Sequence, residues 1–253
     1  MPGPITLADS RPTRGGARGR SSGQADTLRQ LQDRIAGMQD GVPRIPVATH
    51  PALADLLQLR TGGAYEVDSA GLAMALLAGP SQEGAWSAVV GADDFGVEAA
   101  AEMGVDLTRT VLVPDPGEHW LEATAALVDV VTMVLLKPPA GVGERTASRI
   151  AARLRKRSSV LVVLGRWPGS EARLEVERST WTGADHGRGR LLGRRLVVGV
   201  RRGSAPVRRT ELELPAGESL RRVEDVASRW SSGERSAWTV ETTPPPPVAL
   251  GAG

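Results

Sequence analysis

An acid, a hydroxyl and a glycine sit where a strand-like run meets a helix-like run. Tyr65-Glu66-Val67 reads as a short strand, Asp68-Ser69-Ala70-Gly71 as a tight turn, and Leu72 to Ala78 as an apolar helix. Strand, turn and helix in this order can cradle the phosphates of a nucleotide. That chemistry asks for a glycine-rich bend, a Lys for the β- and γ-phosphates and a Ser or Thr for magnesium. No Lys occurs between Met1 and Leu136, so this turn lacks the phosphate-gripping sequence. A scaffold kept without its grip points to binding or assembly rather than to a hydrolase or motor. His50, His119 and His186 stand far apart without metal-ligand spacing, and surface or capping roles are expected of them. No Gly-x-Ser-x-Gly elbow occurs. No catalytic residue, cofactor or metal is therefore expected.

Arginines supply the other chemistry. Gly187-Arg188-Gly189-Arg190 precedes Arg194-Arg195, then Arg201-Arg202 and Arg208-Arg209. Glycines that let arginines reach a phosphate backbone would give sequence-independent contact. No aromatic that could stack bases stands in the Gly183–Gly193 stretch, and a solvent-exposed basic hairpin explains the same residues. Trp230 and Trp238 lie in a weakly patterned region. They are candidate partner anchors, or they pack back on the basic hairpin. Arg145, Arg149, Arg153, Arg155, Lys156 and Arg157 read as the solvated face of a helix.

The elements that must position these residues alternate. Strand-like runs fall at Ala64–Val67, Trp86–Val90, Thr110–Val113, Val130–Leu136 and Val160–Leu164. Helical patterns fall at Ala70–Ala78, Phe95–Met103, Gly117–Val128 and Glu144–Arg157. Short, nearly continuous apolar strands are what a parallel sheet covered on both faces requires. Asp115 as N-cap, Pro116 and Glu118 mark one helix start. A doubly wound α/β sheet is the expected fold. After Trp167-Pro168-Gly169, strand-like runs at Glu171–Thr182, Leu196–Arg202 and Val207–Leu214 surround a Gly/Arg loop at Gly183–Gly193, giving an antiparallel extension on the sheet edge.

Residues 1–24 read as a disordered basic tail, 25–60 as an N-terminal helical segment with an amphipathic helix at Ala25–Met38, 61–215 as the core, and 216–253 as a weakly structured tail ending in prolines. Pro51–Leu59 reads as a short apolar helix. The 253 residues carry a formal charge of only +2, no cysteine and 41% apolar residues. This fits a folded domain in a reducing cytosol, with disulfides and thiolate metal sites excluded. The start lacks a signal-peptide apolar region and no run reaches the length of a membrane span. A cytoplasmic protein without a membrane partner is expected.

Several stretches carry a family resemblance. Gly91 to Leu107, Val111 to Glu118 and Val130–Leu136 resemble core segments of RecA recombinases. Gly62 to Asp68, Leu77-Ala78-Gly79-Pro80, Asp115 to Glu122 and Glu171 to Val176 resemble actinobacterial ImuA-type proteins, which are RecA-related accessory factors of a damage-induced mutagenic polymerase complex. The resemblance spans roughly Leu28 to Arg209. It implies a RecA-like core whose nucleotide site is degenerate at Asp68, Ser69, Ala70, Gly71, Asp93 and Lys137. Lys137 stands where an Asp would hold magnesium. Asp93 stands where a Glu would activate water, although Asp93 or Asp94 as the cap of the helix at Phe95 is the plainer reading.

The implied role is that of a non-catalytic adaptor in error-prone translesion synthesis, with nucleoid association when DNA is damaged. Its implied partners are an ImuB-type relative of Y-family polymerases and, through it, the sliding clamp and an error-prone C-family DNA polymerase. RecA or self association and non-specific DNA contact complete the expected partners. The competing expectation is a DNA-binding RecA paralogue that modulates recombination through the arginine stretch.

Overall fold

A computed structural model describes residues 43–139, 141–185, 188–223 and 240–241. The expected helix at Ala25–Met38, the two tails beyond these bounds, Trp230 and Trp238 lie outside the described residues.

The core is a doubly wound α/β sheet. Strands β3 (Ala64–Val67), β4 (Ser87–Val90), β5 (Thr110–Val113), β6 (Met133–Leu136) and β7 (Val160–Leu164) are parallel, in the spatial order β5-β4-β6-β7-β3. β8 (Ala172–Asp185) continues beside β3, also parallel, with Tyr65 opposite Ala172 and Val67 opposite Leu174. The sheet then turns antiparallel through β9 (Arg188–Arg201), β10 (Arg208–Pro215) and β11 (Arg221–Arg222), while β12 (Val240–Glu241) pairs with β8. Ten strands form this one sheet. The RecA-like sheet with an antiparallel edge extension expected from the sequence is therefore present.

Strand alternation explains the layers. Tyr65, Val67, Val89, Met133, Leu135, Val160 and Val162 point to one face, where helix α1 (Ala70–Gln82) and helix α2 (Val97–Glu102) pack on them. Ala64, Ala88, Val90, Val134, Leu136, Leu161 and Val163 point to the other, under α3 (Trp120–Val128) and α4 (Glu144–Arg157). With both faces covered, the strands read as apolar runs rather than alternating ones.

α1 buries ten of its thirteen residues. Leu72, Leu76 and Leu77 alone contribute about 1.5–3 kcal/mol each by leaving water. Its fit depends on Gly79, where a Cβ would meet the backbone of Ala48, Thr49 and His50 at 2.7–2.9 Å. α4 is amphipathic instead, burying Ala147, Ile150 and Leu154. Arg153 and Arg157 on its solvated side reach the Asp129 carboxylate at 3.0 and 3.2 Å. Arg153 and Arg157 thus lie on a solvated face and are ion-paired.

Three expectations fail. Pro51–Leu59 is not a helix. Pro51–Leu53 forms a 3-10 segment capped by His50 and residues 54–56 continue as turns, while Leu59–Arg60 (β2) pairs with Pro46–Val47 (β1). Pro51 is compatible with either outcome, since it suits the first position of a helical turn. Within 216–253, expected as a weakly structured tail, Arg221–Arg222 (β11) and Val240–Glu241 (β12) pair with the sheet. The third failure is the Gly/Arg loop. Gly183, Gly189 and Gly193 lie within paired strands, with β8 and β9 each fourteen residues long. Gly183 at φ +99° and Gly189 at φ +107° sit where the register shifts between Thr182 and Ala184, so these glycines serve an irregular ribbon. Asp115 does mark a helical start, as its carboxylate accepts the Gly117 N–H at 3.2 Å.

Candidate functional site

Ligands of open α/β sheets bind at the carboxyl ends of the strands. Four features of this molecule bear on what that end could hold.

The first is the turn after β3. Only Asp68 and Ser69 separate Val67 from Ala70, the first residue of α1. Ser69 holds extended backbone angles and its carbonyl accepts the Ala73 N–H at 3.0 Å, but its side chain makes no cap. Ala70 and Gly71 already belong to the helix. Asp68 turns away, both its carboxylate oxygens accepting the Val176 N–H at 3.1 Å. Burial pushes the Asp68 carboxyl above its usual range, while the Val176 N–H and the charge of Arg194 act in the opposite direction. An anion brought to this helix start would face a carboxylate rather than the row of N–H groups that a glycine loop supplies.

The second feature is the end of β6. Lys137 Nζ lies 2.8 Å from Asp94 Oδ1 and 3.5 Å from Asp93 Oδ1. The Lys137 hydrogen bond holds the Asp94 carboxyl below its ordinary value, and the same bond raises Lys137. Gly91 draws the two strand ends together, since a Cβ there would come within 2.4 Å of the Lys137 carbonyl oxygen. The capping expected of Asp93 or Asp94 is not what occurs. α2 begins at Val97 behind Gly96 with no side-chain cap, because both acids occupy the preceding turn and face Lys137. A cation paired in this way repels a divalent metal.

The third feature was not legible from residue pattern. Arg194 lies over the Trp181 ring, 5.0 Å from its centroid, and its Nε donates to Ser179 Oγ at 2.6 Å. Burial lowers the pKa of Arg194 and the Asp68 charge raises it. The Arg194 guanidinium and the Asp68 carboxylate thus act on one another electrostatically. A fourth feature is Glu66, buried within β3. Its Oε1 accepts the Trp167 N–H at 2.8 Å and the Ser170 hydroxyl at 3.0 Å, and Arg173 Nη1 stands 3.7 Å from Oε2. The one sign of Glu66 in the sequence was an acid inside an otherwise apolar strand.

The remaining arginines do not form one patch. Arg194 and Arg201 are seven residues apart on β9, roughly 23 Å along the strand. Arg194 shares the face of Leu196, Val198 and Val200, so Arg195 and Arg201 lie on the opposite face. Arg195 and Arg201 are exposed and carry no ion pair among the described residues. Arg209 Nε is held 2.7 Å from Glu177. Arg188 stands opposite Asp185 in the register, with Arg190 two residues further along β9. Arg202 follows β9 and Arg208 opens β10, opposite Val200. Among the described residues there is no group of three or more His, Cys, Asp or Glu able to hold a metal ion, and no helix long and apolar enough to cross a membrane.

Comparison with known proteins covers this same core. Residues 52–169, from the 3-10 turn to the loop after β7, match the family model described as the MT3502 N-terminal domain. The chain is also similar to the uncharacterized protein Rv3395c of Mycobacterium tuberculosis, at 33% identity over 165 residues covering 60% of this chain and 74% of that protein. The match to the domain model ends at Gly169, just before β8 begins at Ala172. The chain belongs to the family that the MT3502 N-terminal domain defines, together with this mycobacterial relative.

Proposed function

We propose that this protein is a non-catalytic adaptor of the ImuA type, working in error-prone translesion synthesis. In this reading it docks an ImuB-type relative of Y-family polymerases and, through it, the sliding clamp and an error-prone C-family DNA polymerase. The observation that carries the non-catalytic half is Lys137 at the end of β6, ion-paired to Asp94 where a metal-holding carboxylate would be needed. The short Asp68–Ser69 turn supports it, because no loop is left to wrap phosphates. The partner half rests on the resemblance of Gly62 to Asp68, Leu77 to Pro80, Asp115 to Glu122 and Glu171 to Val176 to ImuA-type proteins.

Two measurements test the two halves. Purified protein heated with and without Mg·ATP should show no ligand-dependent rise in Tm. Saturable ATP turnover abolished by Asp93→Ala would end the non-catalytic reading. Co-expression with the product of a neighbouring reading frame that encodes a polymerase-like protein without catalytic acids should give a stable co-purifying pair. Failure of that pair to form ends the partner half.

Exposed Arg195 and Arg201 favour a second reading, a DNA-binding RecA paralogue. Its mark would be salt-dependent binding of single-stranded DNA by the protein alone, lost when Arg201, Arg202, Arg208 and Arg209 become Ala. The Arg209–Glu177 pair and the spread of arginines over both ribbon faces weigh against it.

A further inference from the structure

Residues 216–222 close the β10–β11 hairpin, and their side chains reach the segment that opens the described chain. Leu220 is 4% exposed and sits in the core cluster that holds Leu53 and Leu212. Arg222 Nη1 lies 2.5 Å from Asp55 Oδ2, and its Nη2 donates to the Ala52 carbonyl at 3.5 Å. Ser219 Oγ stands 2.9 Å from His50 Nε2 and donates to the carbonyl of Met103, the residue that ends α2, at 3.3 Å.

These bonds fix the state of the His50 ring. A backbone N–H can only donate, so the Ala52 N–H, 3.2 Å from Nδ1, requires an unprotonated Nδ1. The neutral ring then carries its proton on Nε2 and donates it to Ser219, whose own hydrogen goes to Met103. The backbone behind the ring is pinned. The His50 carbonyl accepts the Leu53 N–H at 2.8 Å, and a Cβ on Gly79 would come within 2.7 Å of the His50 nitrogen.

We infer that residues 216–222 form a latch whose catch, His50, is released by acid. A second proton on the imidazole sets one N–H against another at the Ala52 contact. The ring then gives up Ser219, the turn lifts from residues 50–55 and from α2, and the apolar seat of Leu220 opens. The charged groups on the surrounding elements do not offset that proton. Asp55 is paired with Arg222, and within the turn Glu218 is paired with Arg221 at 2.8 Å. α1 carries no charged side chain, and Glu83 just beyond it is exposed. Next to Met103, Glu102 is exposed, while Asp106 is held by Thr108 and Arg109. Burial accordingly keeps the imidazole below its ordinary 6.5, so the catch is closed at neutral pH. The latch works in the same way whether or not the chain is an adaptor.

Hydrogen exchange on the full chain, corrected for intrinsic rates, tests this. One proton taken up on opening shifts the local equilibrium by up to about tenfold for each pH unit below 6.5. Amides of residues 217–222 should lose up to about tenfold in protection between about pH 7.5 and about pH 5.5, while β4, β6 and β7 keep theirs. His50→Gln offers a donor and an acceptor without titrating, so its 217–222 protection should be equal at the two pH values. NMR of the parent gives a readout that needs no variant: the His50 ring and the Leu220 methyls should shift with one midpoint below 6.5. Acid loss at 217–222 no greater than in the parallel strands overturns the inference. So do the parent's acid loss persisting in His50→Gln, Leu220 methyls that ignore the His50 titration, or all strands losing protection together.

Discussion

Gly91 closes the gap between β4 and β6 where the candidate site lies, and replacing it measures how tightly that gap is set. Gly91 follows β4 at φ +73°, its N–H donates to the Val113 carbonyl at 2.9 Å, and the Lys137 N–H donates to the Val90 carbonyl at 2.9 Å. An alanine Cβ here would lie 2.4 Å from the Lys137 carbonyl oxygen, well inside the 3.0 Å limit for such contacts. That oxygen belongs to backbone held by the sheet and cannot swing aside. Gly117 is the control, with φ +54° and nothing within 4 Å of the same atom.

Gly117→Ala carries the left-handed backbone penalty of about 1–2 kcal/mol. A more restricted unfolded chain offsets that by about 0.4–1 kcal/mol. Its net effect is about 1 kcal/mol or less. Gly91→Ala carries the same two effects plus overpacking of about 1–3 kcal/mol, so a loss of about 2–4 kcal/mol is expected. For a domain of this size 1 kcal/mol moves Tm by about 2–4 °C, which separates Gly91→Ala from the parent by roughly 5–15 °C. Urea unfolding and thermal melting of the parent and both variants read this directly. If the two variants fall together, within about 0.5 kcal/mol, the close approach of Gly91 to Lys137 is not a constraint and the reasoning fails.

Three further predictions follow from the same geometry. Tyr65→Phe removes a buried hydroxyl that donates to Glu171 at 3.1 Å and accepts the Arg60 N–H at 2.8 Å, so stability should drop by about 1–3 kcal/mol in urea titration; no measurable change would show that this network contributes nothing. Lys137→Ala should let the Asp94 carboxyl rise toward its ordinary value in an NMR titration while stability barely moves, because the pair is exposed; an unmoved Asp94 would contradict the assignment of Lys137 as its partner. His50, buried with Nδ1 accepting the Ala52 N–H and Nε2 beside Ser219 Oγ, is pushed by burial below the ordinary imidazole value of 6.5. The unfolded chain then takes up this proton more readily than the folded one, so the contribution is complete above about pH 6.5 and is lost as pH falls through that value. The parent should lose more stability between pH 7 and pH 5 than His50→Gln, and equal slopes would count against the reading.

The parallel core was legible because burial on both faces writes itself into the chain as apolar runs. Ala64–Val67, Thr110–Val113, Val160–Leu164 and the helix Glu144–Arg157 occur where the pattern places them. Trp86 falls outside its expected strand and stands 48% exposed at the entry to β4, since hydrophobicity alone does not distinguish a strand residue from one beside it. The Gly183–Gly193 part of the ribbon of β8 and β9 was read as a loop because glycines and arginines carry no apolar period, and cross-strand pairing leaves little local mark. Of the site, the missing lysine at the turn and the misplaced Lys137 were visible as residue types. The stacking of Arg194 on Trp181 was not, as it depends on the pairing of two strands across the ribbon. The closer pairing of Lys137 with Asp94 rather than Asp93 is decided by a turn only a few residues long.

The wedging of α1 has a corollary. Its far end is pinned where Gly79 touches the backbone of residues 48–50, and its near end follows β3 after two residues. No point substitution can lengthen that junction. A phosphate cradle at this place would take an insertion of several residues, and the inserted chain would have to displace the Asp68 bond to Val176. The length of this junction, more than the residue types along it, therefore sets what the turn can hold.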